Sequence, residues 1–145
     1  MTNNTHITAN VEQAVPFFMV MNMEKSLAFY MNGLGFDLKT KWEPGGTIEW
    51  CWLETGSAAI MLQAYREDFV PTDTRGVGLS VCFMCKDALQ IYKEAVSRGL
   101  SPREPFVGNS LWVVEFKDPD NYSILFESPT DVPEETMYSD WTGKA

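Results

Sequence analysis

The chain has 145 residues, of which 45% are hydrophobic and 21% are charged, and this composition argues against both a disordered segment and a membrane protein. Eleven Lys and Arg against twenty Asp and Glu give a net charge of −9, which repels nucleic-acid phosphates and anionic lipid surfaces. We therefore expect no nucleic-acid partner and no membrane partner. Residues 1–13 are polar and lead into no secretory signal, so we expect a cytoplasmic protein whose three cysteines are thiols.

The first half of the sequence predicts one strand, one helix and three further strands. Residues 15–20 are apolar and predict the first strand. Asn22 follows as the N-cap of a helix that Gly33 ends. Three more strands, joined by tight turns, are predicted over residues 36–42, 47–53 and 58–63.

The second half repeats this order. The helical sequence of residues 26–30 reappears in residues 88–92, next to Asp87 near the helix start. Strands are predicted over residues 77–83, near Phe106, and over residues 111–116 and 123–127. We therefore expect one domain over residues 14–128, with modules at 14–64 and 77–128 joined by a linker at 65–76. A polar tail (1–13) and an acidic tail (129–145) flank it.

Three motifs carry a resemblance to a known family. They are Met-Glu-Lys-Ser-Leu-Ala-Phe-Tyr at residues 23–30, Gly-Leu-Gly-Phe at 33–36 and the Asp-Pro-Asp turn at 118–120. Together with the repeated β-α-β-β-β plan, they resemble the vicinal oxygen chelate superfamily, which contains glyoxalase I, bleomycin resistance proteins and extradiol dioxygenases. The resemblance implies an α+β fold in which two βαβββ modules form a curled mixed sheet with a half-open barrel cup. It also implies a homodimer.

Enzymes of this superfamily hold a divalent metal through His, Glu or Gln side chains on the first and last strand of each module. The corresponding positions of this sequence are apolar: Val15, Met61, Leu79 and Leu125. Apolar side chains cannot replace the hydration of a divalent ion. His6, the one histidine, lies in the polar N-terminal tail. We therefore predict that the protein has no metal site and no cofactor.

Strand alternation predicts which side chains line the cup. Glu127 and Gln63 are the strongest candidates, because a polar group facing an apolar core without a partner is costly. Trp50, Trp52 and Trp112 either stack on a ligand or pack beneath the helices, and the sequence leaves both readings open. The strand carboxylates Glu49, Glu54 and Glu115 are expected to face solvent. The other predicted cup residues are Phe17, Met19, Ala59, Met61, Val81, Phe83 and Ser123.

The sequence predicts a metal-free protein that binds or sequesters a small organic molecule, with a cation favoured by the negative charge. The alternative is an enzyme of the same superfamily, a lyase, isomerase or dioxygenase, with a displaced divalent-metal site. Glu127, Gln63 and Glu49 are its available donors. The Cys82–Cys85 spacing matches a redox dithiol, but strand alternation sends the two thiols to opposite faces.

Overall fold

A computed structural model describes residues 10–142, and two consecutive βαβββ modules make up most of this part of the chain. Module one consists of β1 (Phe17–Val20), α1 (Met23–Leu27), β2 (Asp37–Trp42), β3 (Trp50–Thr55) and β4 (Ala58–Ala64). Its four strands form sheet one in the order β1-β4-β3-β2. The β1–β4 pair is parallel and the other pairs are antiparallel.

Module two consists of β5 (Ser80–Met84), α2 (Ala88–Ser97), β6 (Phe106–Gly108), β7 (Leu111–Lys117) and β8 (Ser123–Pro129), and a C-terminal α3 (Tyr138–Thr142) follows it. Its four strands repeat the arrangement of module one as sheet two, in the order β5-β8-β7-β6, again with a parallel first pair. Two unclosed four-stranded mixed sheets with few helices confirm the predicted α+β fold class. None of the helices in residues 10–142 has the length and apolar character needed to span a membrane.

Both helices begin where the sequence predicted. The Asn22 side chain accepts a hydrogen bond from the Lys25 amide, and the Asp87 side chain accepts one from the Gln90 amide, each at 3.0 Å. The first helix then widens into a π-helical turn over Ala28–Gly33. Tyr30 lies in this turn and is fully buried in the core.

One face of each sheet is covered by helices, with α1 packed on β4 and α2 packed on β7 and β8. Alternate strand residues on that face are buried and form one core cluster across both modules. Its strand members are Phe18, Val20, Cys51, Leu53, Ile60, Leu62, Val107, Trp112, Val114, Phe116, Ile124 and Phe126. We call the opposite side, which the helices leave uncovered, the open face of each sheet.

The turn between β7 and β8 joins the two modules. The buried Tyr30 hydroxyl of module one donates to Asp118 Oδ2 at 2.7 Å. The next carboxylate, Asp120, is 2% exposed, and its Oδ1 accepts from the Met21 amide at 3.0 Å and lies 3.4 Å from Arg75 Nη2. Module one and the linker are therefore both tied to module two by polar contacts with this four-residue turn.

The C-terminal segment lies along β6. The amide of Val107 donates to the Thr136 carbonyl at 3.0 Å, and Phe106 and Met137 form an antiparallel bridge. The Trp141 ring then packs on Trp112, with centroids 5.4 Å apart. The acidic tail is thus tied to sheet two over the part that the structure describes.

Two linker glycines provide a test of how the modules are joined. Gly76 and Gly78 both have positive φ (+74° and +78°), so alanine at either site is strained by roughly 1 kcal/mol. A Cβ at Gly76 would also lie 2.2 Å from the Asn121 carbonyl oxygen, whereas a Cβ at Gly78 meets nothing within 4 Å. We expect Gly76→Ala to lower the free energy of unfolding by at least about 2 kcal/mol more than Gly78→Ala in urea titrations. Equal losses would contradict the docking of the linker on this turn.

Candidate functional site

The open face of sheet one is lined with aromatic and sulfur-containing side chains. Strand register places Phe17 beside Met61 and Met61 beside Trp52, while the adjacent row runs from Met19 through Gln63 and Trp50 to Trp42. The predicted residues of module one therefore do share one face, and their neighbours Cys51 and Leu53 point into the core. Trp50 and Trp52 belong to the open face rather than to the packing beneath the helices.

Part of this aromatic surface is open to solvent. Trp42 is 61% exposed and Phe17 is 50% exposed. A cavity of about 280 Å³ lies at the β2 end of the face, lined by Trp42, Pro44, Glu49, Gln63, Ala64 and Arg66. Exposed aromatic rings beside a polar amide are typical of a surface that recognises another molecule.

The open face of sheet two contains the larger cavity, of about 340 Å³. Phe106, Val113 and Leu125 form its apolar wall, and Glu127 from β8 supplies a half-buried carboxylate. Its other lining residues are Ser80, Arg103, Gly108, Asn109 and Glu115. An apolar wall with a few polar groups can hold an organic molecule and fix its orientation.

The two carboxylates of this cavity have different surroundings. Glu115 Oε1 lies 3.5 Å from Arg103 Nη1, and Glu115 Oε2 lies 4.0 Å from Lys117 Nζ and accepts a hydrogen bond from Ser123 Oγ at 3.1 Å. Glu127 makes no ion pair with any residue of the 10–142 range. The Glu127 carboxylate is therefore the one available to a ligand cation.

Cys82 lies on the same open face, in the row next to Glu127. The pKa of the Cys82 thiol is raised to about 11, first by desolvation of the sulfur and then by the nearby Glu127 carboxylate. Desolvation also raises the pKa of the Cys85 thiol. Cys85 follows the end of β5, and neither thiol has the lowered pKa of a redox dithiol.

The predicted placement of Val81 and Phe83 on the open face is wrong. The sequence predicts a strand over residues 77–83 in which Leu79, Val81 and Phe83 face the cup. In the structure, β5 begins at Ser80, and its open-face residues are Ser80, Cys82 and Met84. A one-residue shift exchanges the faces of a strand. Phe83 instead packs into the core, with its ring 5.5 Å from Phe126.

Trp112 and Ser123 are both buried rather than exposed in a cavity. Trp112 is 4% exposed and packs beneath the C-terminal segment against Tyr138 and Trp141, so of the two readings left open it follows the packing one. Ser123 does lie on the open-face side, but it is buried, and its hydroxyl is bonded to Glu115 and Lys117. The hydroxyl supports the carboxylate beside it rather than facing the cavity.

The positions at which the resemblance implies metal ligands carry apolar side chains. Met61 lies beside Phe17 on the parallel partner strand, and Leu125 lies beside Cys82. The Glu115 carboxylate lies opposite Leu125 on β7, but it is already paired with Arg103. Across residues 10–142, no group of three or more His, Cys, Asp or Glu side chains is placed to hold a metal. His6 lies outside the described residues. The donors considered for a displaced site are also apart, because Glu127 lines the cavity of sheet two while Gln63 and Glu49 line that of sheet one.

The sequence analysis missed several cavity residues, among them Trp42, Arg103, Phe106 and Glu115. Glu115 could have been found by counting back from Glu127 through the 118–121 turn, because the antiparallel register places it opposite Leu125. We had instead expected it to face solvent. Arg103 lies in the loop between α2 and β6 and has no periodic signal, and its contacts with Glu115 bring it to the cavity.

The contact between Glu127 and Cys82 can be tested through thiol reactivity. Glu127→Gln removes a negative charge beside the sulfur, so the pKa of Cys82 falls and its thiolate fraction at pH 8 rises. We expect alkylation of Cys82 by iodoacetamide to become about threefold faster, since the thiolate is the reacting form. Peptide mass spectrometry gives the rate, with fully buried Cys51 as the internal control. An unchanged rate at Cys82 would show that the two groups are not neighbours.

Comparison with known proteins agrees with this architecture. A family model described as the Glyoxalase/Bleomycin resistance protein/Dioxygenase superfamily matches residues 6–126. A search of curated proteins finds no match.

Several solved structures share the fold at low sequence identity. A bleomycin resistance determinant encoded on the transposon Tn5 is 19% identical, with a TM-score of 0.66 over 84% of this chain and 100% of that chain. TnmS3, an antibiotic binding protein from Streptomyces sp. CB03234, is 23% identical, with a TM-score of 0.61 over 82% of this chain and 98% of that chain. A glyoxalase/bleomycin resistance protein from the same organism is 22% identical, with a TM-score of 0.63 over 81% and 100%.

Proposed function

The chain belongs to the Glyoxalase/Bleomycin resistance protein/Dioxygenase superfamily, and we propose that within it this protein binds a small organic cation on the open faces of its sheets, without a metal ion. The observation that carries the proposal is the Glu127 carboxylate. It lines an apolar cavity of about 340 Å³ and has no cationic partner among residues 10–142. A half-buried carboxylate without a partner gains from a cation that enters beside it.

The aromatic surface of sheet one supports the same class of ligand. Rings of Trp attract cations to their faces and also stack on planar molecules. Trp42 and Trp50 are cross-strand neighbours on this surface, and Trp42 is largely exposed. The net charge of −9 adds a long-range attraction for cations.

Two of the similar structures support small-molecule binding. One is described as an antibiotic binding protein and the other as a bleomycin resistance determinant. We propose that this protein likewise sequesters an organic molecule and leaves it chemically unchanged. The free state of Cys51, Cys82 and Cys85 supports a cytoplasmic location, where thiols stay reduced.

We also propose that the protein is a homodimer in which the open faces are covered by a second copy. Large apolar side chains stay exposed on both open faces of one chain: Phe17 and Trp42 on sheet one, and Met84, 63% exposed, on sheet two. Apolar surface of this kind is typical of an interface or a ligand site. A second copy would add the missing wall to each cavity.

Binding can be tested with 1-methyl-4-phenylpyridinium, an aromatic ion with one permanent positive charge. We expect Glu127→Gln to weaken its binding by about tenfold or more, because the hydrogen-bonding shape is kept and only the charge is lost. Calorimetric titration with and without EDTA gives the affinity. We expect EDTA to change neither the affinity nor the melting temperature, since no ion holds the site together.

The matched control is Glu24→Gln, which changes the net charge equally on the exposed surface of α1. We expect this variant to bind as the parent does. The neutral analogue 4-phenylpyridine at pH 8 separates charge recognition from apolar burial. Equal binding by the parent and Glu127→Gln would remove Glu127 from the site, and loss of binding in EDTA would end the metal-free account.

The dimer is tested by native mass spectrometry of the parent and of Phe17→Asp. Phe17 is half-exposed on the open face, so Asp at this site should leave the fold intact while placing a charge in the proposed interface. We expect a dimer for the parent and a monomer for the variant. Circular dichroism checks that the variant is folded. A parent that is monomeric at micromolar concentration contradicts the shared-cavity arrangement.

A further inference from the structure

We infer that Arg103 limits the ligand to one cationic centre, because its guanidinium neutralises the second carboxylate of the cavity in sheet two. This inference rests on the proposed binding of an organic cation and adds the charge class that the cavity selects. Arg103 lies outside the strands, at the cavity rim, where its side chain is 64% exposed.

Three contacts hold Arg103 in place. Its backbone amide donates to the Glu115 carbonyl at 3.0 Å, and its guanidinium Nη1 lies 3.5 Å from Glu115 Oε1. Its Cζ lies 5.1 Å from the centroid of the Phe106 ring, within the range of a cation–π contact. Because the main chain is fixed to β7, the positive charge stays beside Glu115 even though the side chain is exposed.

The charges around the cavity then leave one site for a ligand cation. Glu115 faces Arg103 on one oxygen and Lys117 and Ser123 on the other, whereas Glu127 faces none of the cations that the structure describes. A monocation can pair with Glu127 and lay its apolar body on Phe106, Val113 and Leu125. A dication of the same shape would lose hydration at its second charge and meet Arg103 instead of a free carboxylate.

The experiment compares two nearly isosteric ions with permanent charges. One is 1-methyl-4-phenylpyridinium, with a single charge, and the other is 1,1′-dimethyl-4,4′-bipyridinium, with two. We expect the parent to bind the monocation more tightly. In Arg103→Met, which keeps a long side chain over Phe106 and frees one Glu115 oxygen, we expect the ratio of the two dissociation constants to shift by about fivefold toward the dication.

Two control variants separate charge at the rim from other effects. Arg103→Lys keeps the positive charge and should keep the parent's preference for the monocation. Lys41 lies on β2 of sheet one, away from this cavity, in an exposed ion pair with Glu43. Lys41→Met changes the net charge by the same amount as Arg103→Met and should also keep the preference for the monocation. Urea unfolding of each variant shows that the comparison is between folded proteins.

The outcomes distinguish this inference from the function it rests on. If the parent binds neither ion, the proposed function fails. If the parent binds the monocation through Glu127 but Arg103→Met leaves the ratio of dissociation constants unchanged, the role of Arg103 is wrong and cation binding stands. A shift of equal size in Lys41→Met would mean that net charge, and not Arg103, sets the preference.

Discussion

Two buried carboxylates in one turn determine how the two halves of this protein fit together. Asp118 binds the Tyr30 hydroxyl, and Asp120 binds the Met21 amide and the Arg75 guanidinium, so module one and the linker depend on residues of module two. Burial raises the pKa of Asp118, and the hydrogen bond from Tyr30 opposes that rise. Buried acceptors lose more when a partner is removed than exposed ones do, so this turn adds a specific polar joint to the apolar core that the two modules share.

Aromatic rings also join the two modules next to this turn. Above it, Phe18 of β1 stacks on Tyr122 at 4.4 Å, which brings the first strand of module one against the turn of module two. A cavity of about 300 Å³ follows at the module boundary, lined by Ala59 from sheet one and Cys82 from sheet two among others. The open face of sheet one and the open face of sheet two therefore adjoin within one chain, although each has its own cavity.

The sequence was sufficient for the fold because its signals are local and occur twice. The N-cap residues Asn22 and Asp87 predict where the helices begin, and apolar runs separated by turn residues predict the strands. The site was harder to predict, because a face is assigned correctly only when the strand start is correct to one residue, and β5 was misplaced. Contacts between distant segments, such as Arg103 with Glu115, leave no periodic trace. The π-helical turn over Ala28–Gly33 likewise has no signal in the residue spacing, which predicted one continuous helix.

The C-terminal segment has a consequence for how this protein behaves at high concentration. By pairing with β6, residues 135–137 occupy backbone groups that would otherwise be free to recruit a strand from another molecule. The β2 edge of sheet one is protected differently, by an irregular register between Leu38 and Thr40 and by the charges of Lys39 and Lys41. The β6 and β2 edges thus resist the edge-to-edge strand pairing that leads to fibrils.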